Sequence, residues 1–147
     1  MSFHFSLETI LNLRRSVEHQ EELRLRAVHQ ALRKVRHQIE LLDSRIHQQK
    51  GQVREEVEKG TTGAEIQFHL QTQTGLQLTR KGLERESAKL EKVCVQQQQR
   101  FRHARQQREI LESLREQRLS TYERERLRRD QRALDELYLL RLPNKLG

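Results

Sequence analysis

The sequence predicts an all-α fold, a long antiparallel two-helix coiled-coil hairpin with an overhanging C-terminal helix. Of its 147 residues 34% are charged and 33% hydrophobic, and the mean hydropathy is −0.98, so a thick apolar core cannot be filled. Apolar residues recur at alternating steps of three and four, which indicates one narrow stripe along a helix. Disorder is disfavoured, because disordered segments are rich in proline and glycine. Here Pro143 is the only proline, and five of the six glycines lie between residues 51 and 82.

The first helix is predicted over about residues 6–59. Its apolar stripe runs without a gap through roughly four heptads and consists of Leu25, Val28, Leu32, Val35, Ile39, Leu42 and Ile46, with Val53 continuing the series. A stripe sustained over this length is typical of a coiled coil. Nearer the N-terminus the same register falls on Arg14, Glu18 and Glu21. We therefore expect that part of the helix to face something other than a simple two-helix seam.

Residues 60–63, Gly-Thr-Thr-Gly, form the predicted turn. Two glycines supply the positive-φ freedom that a helix reversal needs, and Thr62 with Glu65 matches a Thr-x-x-Glu capping box. The second helix is predicted over about residues 64–141, ended by Pro143 and the last glycine. Together these elements predict a single coiled-coil domain over residues 1–147.

The apolar stripe of the second helix is poorer than that of the first. It consists of Leu76, Leu83, Leu90, Cys94, Phe101, Ala104 and Leu111, with Gln97 and Arg108 among them. If the chain reverses near residue 61 or 62, facing residues have numbers that add up to about 123, and Ser6 faces roughly Gln117. Residues after about 118 then lack a partner on the first helix.

This overhang is not purely polar, because it carries Leu119, Tyr122, Leu127, Leu134, Leu137, Tyr138, Leu139 and Leu140. An exposed apolar stripe on a helix indicates a surface that another helix or protein covers. The residues alone leave two interpretations equally open, docking of a partner protein and dimerisation of the same segment.

No pattern of catalytic or metal-binding residues is present in the sequence. It has neither a phosphate-binding glycine loop nor a Gly-x-Ser-x-Gly motif, and its seven histidines are never three or four residues apart, so no helix presents two of them to a metal. Cys94 is the only cysteine and falls on the stripe, where a small buried residue is expected. We predict no enzyme activity, no cofactor and no metal site. Direct membrane insertion is also not expected, because no apolar run approaches the ~20 residues of a membrane helix.

The net charge of +8 raises the question of nucleic-acid binding. Residues 100–132 contain 11 arginines, which could track phosphates, but six acidic residues interrupt them. Several acidic residues precede an arginine by three or four positions, a spacing that stabilises a lone helix; these pairs are Glu112 with Arg115, Glu123 with Arg126, and Glu125 with Arg129. No aromatic platform for bases accompanies the arginines. We therefore predict that nucleic acid is not a partner.

Residues 3–14 read Phe-His-Phe-Ser-Leu-Glu-Thr-Ile-Leu-Asn-Leu-Arg, an aromatic-flanked Leu-Glu-x-x-Leu-x-Leu-Arg pattern. Residues 129–137 read Arg-Asp-Gln-Arg-Ala-Leu-Asp-Glu-Leu, which contains Asp-Gln-x-x-x-Asp-Glu. These two segments resemble the opening and closing segments of the flagellar export protein FliJ family. The chain length, the position of the turn and the long second helix also agree, so the resemblance covers essentially the whole chain.

The resemblance implies a cytoplasmic component of the flagellar type III protein export apparatus. It implies a coiled-coil stalk, similar to the central stalk of rotary ATPases, that binds the ring of the export ATPase FliI and promotes its assembly and activity. It also implies the export gate protein FlhA as a partner, FliH and export chaperones as further partners, and a location at the cytoplasmic face of the inner membrane through these partners. The alternatives are the equivalent stalk of a virulence-type secretion system and a generic coiled-coil adaptor.

The ring-binding residues implied by the resemblance lie in the opening and closing segments and are Leu7, Glu8, Leu11, Arg14, Arg129, Asp130, Gln131, Leu134, Asp135 and Glu136. They lie at the end of the hairpin where the residues themselves predict an exposed apolar stripe. Export-gate binding would lie towards the turn, with Gln38, Leu42, Leu76 and Leu83 as candidates. Leu42 and Leu83 also fit the intrachain seam, which is their expected role. We expect no exposed aromatic residue on that part of the chain.

Overall fold

The computed structural model describes the backbone of residues 2–146 and the side chains of residues 2–142. This part of the chain consists of two helices without any strand, α1 (Glu8–Lys59) and α2 (Gly63–Leu146). They pair as an antiparallel hairpin, which confirms the predicted fold class. Two compact units can be distinguished, and each pairs a segment of α1 with a segment of α2. The terminal unit comprises residues 1–19 and 102–147, and the turn unit comprises residues 20–101.

The reversal between the helices lies where the glycines predict it. Gly60 has φ +88°, a left-handed conformation that side chains other than glycine rarely adopt, and its N–H donates to the Val57 carbonyl at 3.3 Å. The N–H of Glu65 donates to the Thr62 hydroxyl at 3.3 Å, and the Thr61 hydroxyl donates to the Glu65 carboxylate. The Thr62 side chain therefore caps α2 as predicted, whereas the Glu65 carboxylate of the predicted capping box bonds to the Thr61 hydroxyl. α2 begins at Gly63, one residue earlier than expected.

The ends of the helices differ from the predicted ones. α1 begins at Glu8 rather than near residue 6, and α2 continues to Leu146, so Pro143 lies within the helix instead of ending it. A proline has a φ angle compatible with the α-helix and removes one backbone donor, which the last turns of a long helix can lose. The final glycine, Gly147, lies outside the described residues.

The buried side chains of the turn unit lie on the predicted stripes, apart from Ser87 of α2, which is 8% exposed. On α1 these are Leu32, Val35, Leu42 and Ile46, each 9% exposed or less, and on α2 Cys94 is 7% exposed. Contacts between the helices also confirm the predicted register. The Arg80 guanidinium donates to the Asp43 carboxylate at 2.5 Å, and the numbers of these two residues add up to 123.

The polar residues of the two stripes pair with each other across the seam. The Gln97 amide, 6% exposed, donates to the Glu21 carbonyl at 3.1 Å and to the Glu21 carboxylate in the turn unit. In the terminal unit, Arg108 donates to both carboxylate oxygens of Glu18, at 2.5 and 3.2 Å. The expectation that Glu18 and Glu21 face something other than the intrachain seam is therefore wrong. Their partners are Gln97 and Arg108, the polar residues within the apolar stripe of α2.

Candidate protein-docking surfaces

The aromatic residues of the opening segment pack against α2 of the terminal unit. Phe5 is 3% exposed, with the Arg118 guanidinium 5.5 Å from its ring centroid. The rings of Phe3 and Tyr122 lie 5.6 Å apart, and the Arg115 guanidinium lies 5.7 Å from the Phe3 ring. Such contacts combine burial of a large apolar surface with cation–π attraction. They anchor the start of the chain to residues 115–122.

An ion network below this aromatic contact joins the two helices of the terminal unit. Arg108 also donates to the Glu112 carboxylate at 2.9 Å, and Glu112 accepts two hydrogen bonds from Arg15, at 2.8 and 3.0 Å. These bonds hold the pKa of Glu112 below its ordinary value, with the Arg15 bond as the largest cause, followed by Arg108. The Glu18 carboxylate raises the pKa of Arg108 further above its ordinary value.

The network shows that the ion pairs expected along α2 are not the ones that form. Glu112 pairs with Arg15 and Arg108 rather than Arg115, and Arg115 donates to Glu8 at 3.0 Å. Within residues 2–142, the expected pairs of Glu123 with Arg126 and Glu125 with Arg129 are likewise not formed. An arginine side chain is long enough to reach a carboxylate on the other helix, and a pair there also ties the two helices together.

The four residues proposed from the opening motif are largely occupied by the intrachain packing. Leu11 is fully buried, and Leu7 and Arg14 are half-buried. Glu8 is held by its bond to Arg115. These side chains therefore position the paired part of α2.

The residues proposed from the closing motif are all exposed. Arg129, Asp130, Gln131, Leu134, Asp135 and Glu136 lie in a continuous exposed stretch over residues 123–141. In this stretch Leu127 is 68% exposed, Leu134 62% and Tyr138 64%. The overhang is slightly shorter than predicted, because Leu119 and Tyr122 are half-buried. Exposed apolar side chains on a helix are typical of surfaces that bind a partner.

The turn unit carries a second exposed apolar residue set, which the sequence analysis missed. Phe68 is 65% exposed, and its ring meets the His69 ring edge-on at 5.9 Å, so the expectation of no exposed aromatic residue there is wrong. The available signal was its position, because Phe68 lies eight residues before the stripe residue Leu76 and is therefore one residue out of the heptad spacing. Phe68 and the predicted residue Leu76 line one shallow groove, together with Gln49 and His69.

The other residues proposed for the export gate are placed differently. Gln38 is exposed, Leu83 is half-buried and Leu42 is buried at 9% exposure. In the groove with Phe68, the His69 Nε2 atom lies 2.5 Å from the Glu56 carboxylate, whereas His69 Nδ1 and Gln49 Oε1 are buried without a partner among the described residues. The groove therefore combines an exposed aromatic ring with two buried polar atoms that have no hydrogen-bond partner among the described residues.

In the described part of the chain, no helix has a segment sufficiently long and apolar to cross a bilayer. Among the same residues, no group of three or more His, Cys, Asp or Glu side chains is arranged to hold a metal ion. The buried thiol of Cys94 lies 3.8 Å from His29 Nδ1 in the seam.

The fold and its exposed surfaces define a class of protein, an α-helical coiled-coil hairpin with an overhanging, partly apolar helix. The family model described as flagellar FliJ protein matches residues 3–146, and the chain belongs to this family. It is therefore a helical coiled-coil protein related to flagellar export, in a family that is a non-catalytic component of the export apparatus. No curated protein and no solved structure matches the chain.

Proposed function

We propose that this protein is the coiled-coil stalk of the flagellar type III export apparatus, which binds the ring of the export ATPase FliI and promotes its assembly and activity. The observation that carries the proposal is the exposed stretch 123–141, in which Leu127, Leu134 and Tyr138 are apolar yet more than half exposed. Family membership supports the export context. The closing-motif residues Arg129, Asp130, Gln131, Leu134, Asp135 and Glu136 form the contact surface in this proposal.

The opening-motif residues take a supporting role in the proposed stalk. Leu11 is fully buried, and Glu8 is bonded to Arg115 at 3.0 Å. With Leu7 and Arg14, they hold the end of the paired segment in one orientation, so that the overhang projects from a fixed base. A preorganised surface binds more tightly, because less conformational entropy is lost on binding.

The coupling mechanism follows from symmetry. A single helix inside a ring of six equivalent subunits cannot contact all of them equally. It stabilises one conformation in the subunit that it contacts, and this differential affinity favours ring closure and links nucleotide turnover to export.

The turn unit supplies the proposed contact with the export gate protein FlhA. Of the four residues derived from the resemblance, Gln38 is exposed and Leu76 lines the groove beside Phe68. Leu42 and Leu83 contribute by packing the seam. Phe68 is added to this surface, because an exposed aromatic side chain is a common anchor at protein interfaces.

The remaining parts of the proposal concern place and further partners. We place the protein in the cytoplasm, at the cytoplasmic face of the inner membrane, where FliI, FlhA, FliH and export chaperones hold it. The family model is that of a flagellar protein, which favours the flagellar apparatus over a virulence-type system.

The test of the ring contact is ATP hydrolysis by purified FliI with and without this protein. A chain ending at Glu123 keeps the contacts of Phe3 and Phe5 with Tyr122 and Arg118 and removes only the overhang. Full-length protein should stimulate hydrolysis, and the shortened chain should not.

A point variant sharpens this test. Leu134→Glu should weaken binding to FliI about thirtyfold, as expected for a buried apolar anchor. The matched control is Leu78→Glu in the turn unit, because Leu78 is similarly exposed at 64% against 62%. No stimulation by either chain, with both folded by circular dichroism, would contradict the stalk proposal. Equal stimulation by both would contradict the contact through the overhang.

The gate contact is tested separately with the cytoplasmic domain of FlhA. Phe68→Ala should reduce binding. The control is Leu70→Ala, which should not, because Leu70 is similarly exposed at 57% but lies two residues further along α2, about 200° around the helix from Phe68. If both variants bind like the parent protein, the gate contact does not involve Phe68.

A further inference from the structure

A second heptad stripe runs along α2 of the terminal unit, on the face turned away from α1. It advances by alternating steps of three and four residues from Ile110 to Tyr138, and every member is exposed. Four of its positions are Ile110, Leu127, Leu134 and Tyr138, all more than 60% exposed.

This stripe is distinct from the intrachain seam. The seam residue Leu111 is half-buried, and Ser113 of the stripe follows it by two residues, which places Ser113 about 200° further around the helix. Shallow grooves lie along the stripe beside Ile110, Ser113, Gln117 and Ser120. The small side chains of Ser113 and Ser120 allow a second helix to approach closely, as in coiled-coil packing.

The charges beside the stripe indicate what would pack on it. No stripe position between Ile110 and Tyr138 carries a carboxylate, and Arg124 is its one charged residue. Of the two flanking rows, one is acidic at four successive positions before it reaches Leu137. This row has a spacing of seven, and its acidic residues are Glu109, Glu116, Glu123 and Asp130. Glu109 pairs with Arg105 at 3.0 Å, and among the described residues the other three form no ion pair.

A second copy of this chain fits the acidic row poorly. In an antiparallel pair of coiled-coil helices, this row would face itself, and like charges would repel. In a parallel pair, Glu123 would face Arg128 favourably, but Asp130 would face Asp135 unfavourably. The charges beside the stripe therefore favour neither arrangement of two copies of this face.

We propose that this outer face of α2 binds a helix of a different protein, one with apolar residues at heptad spacing and a flanking row of lysine or arginine. Because the face includes Gln131 and Leu134, the inference rests in part on the proposed function and describes the kind of helix that the surface accepts. Its other half, from Ile110 to Ser120, lies outside the proposed ring-binding residues.

The test uses two synthetic coiled-coil peptides of four heptads with identical apolar positions. One has lysine at all positions flanking the apolar stripe and the other has glutamate, so each repels its own copies and stays monomeric. Binding to the full chain is measured by fluorescence anisotropy at physiological salt. The lysine peptide should bind about tenfold more tightly, which corresponds to ~1.4 kcal/mol. The net charge of +8 predicts the opposite order for nonspecific attraction.

Two matched charge variants locate the effect. Glu116→Lys with Glu123→Lys should abolish or reverse the preference for the lysine peptide. Glu86→Lys with Glu125→Lys makes the same change in net charge away from the stripe and should leave the preference intact, because these exposed residues do not flank the stripe.

A third variant separates this inference from the proposed ring contact. Ile110→Ala should weaken binding of the lysine peptide while stimulation of FliI hydrolysis stays unchanged. Preference for the glutamate peptide, or equal binding of both peptides, would overturn the inference. So would sedimentation equilibrium that shows a dimer of the full chain dissociated by Ile110→Ala.

Discussion

Arg108 holds together the polar part of the terminal unit, and its replacement tests whether this network sets the pairing of the helices. Arg108→Gln removes two bonds to Glu18 and one to Glu112. The side chains of Arg108 and Glu18 are 21% and 18% exposed, and that of Glu112 is 32% exposed. Both carboxylates would lose a charged partner in surroundings only partly open to water.

The exposure of these side chains determines how much free energy of unfolding is lost in Arg108→Gln. A charged hydrogen bond contributes about 1.5–3 kcal/mol when buried, and breaking a fully buried pair costs about 3–5 kcal/mol. Since water reaches part of this network, we expect Arg108→Gln to lower the free energy of unfolding by about 2 kcal/mol. The matched control is Arg105→Gln, one turn earlier on the same helix. Its bond to Glu109 joins side chains that are 58% and 50% exposed, so the loss should be at most about 0.5 kcal/mol.

The assay is urea denaturation followed by circular dichroism, with hydrogen exchange to localise the loss to the terminal unit. Salt at 1 M should remove the small effect at Arg105 and leave most of the effect at Arg108, because exposed pairs are screened more strongly. The double variant of Glu18 and Arg108 to glutamine should cost less than the sum of the single ones. If Arg108→Gln and Arg105→Gln differ by less than about 0.5 kcal/mol, the network does not stabilise the unit as argued.

Three other predictions concern the turn, the acid response and the opening segment. Gly60→Ala should destabilise the hairpin by about 1 kcal/mol, because alanine rarely adopts the φ of +88° found there. Gly51→Ala should stabilise it by about 0.5–1 kcal/mol, because Gly51 lies in α1 with open space around it. Urea denaturation measures both changes. The pKa of Glu112 is lowered in the folded state, so its stabilisation is present at neutral pH and is lost as the pH falls below the ordinary value of 4.5; the parent should therefore lose more stability between pH 7 and 3 than Glu112→Gln. Phe5→Ala, at a position 3% exposed, should cost about 3 kcal/mol and increase protease cleavage of the opening segment.

The periodicity of the sequence predicted most of the backbone arrangement. Leu32, Val35 and Leu42 are buried as their spacing indicates. Because the α-helix has a fixed number of residues per turn, residues three or four positions apart lie on the same face. The Thr62 cap and the reversal at Gly60 are local features as well. The turn and the apolar stripes of the two helices also predicted the register and the exposed overhang. A tight turn between two continuous helices allows only one antiparallel alignment of their stripes.

The tertiary structure decided which side chains meet. Glu112 bonds to Arg15 on the other helix rather than to Arg115 on its own, because long charged side chains reach several partners and the rotation of the two helices selects among them. In the turn unit Phe68 is left exposed, and in the terminal unit Leu11 is buried completely. A sequence pattern specifies which residues share a face of one helix. Whether that face is covered, and by what, depends on the position of the second helix.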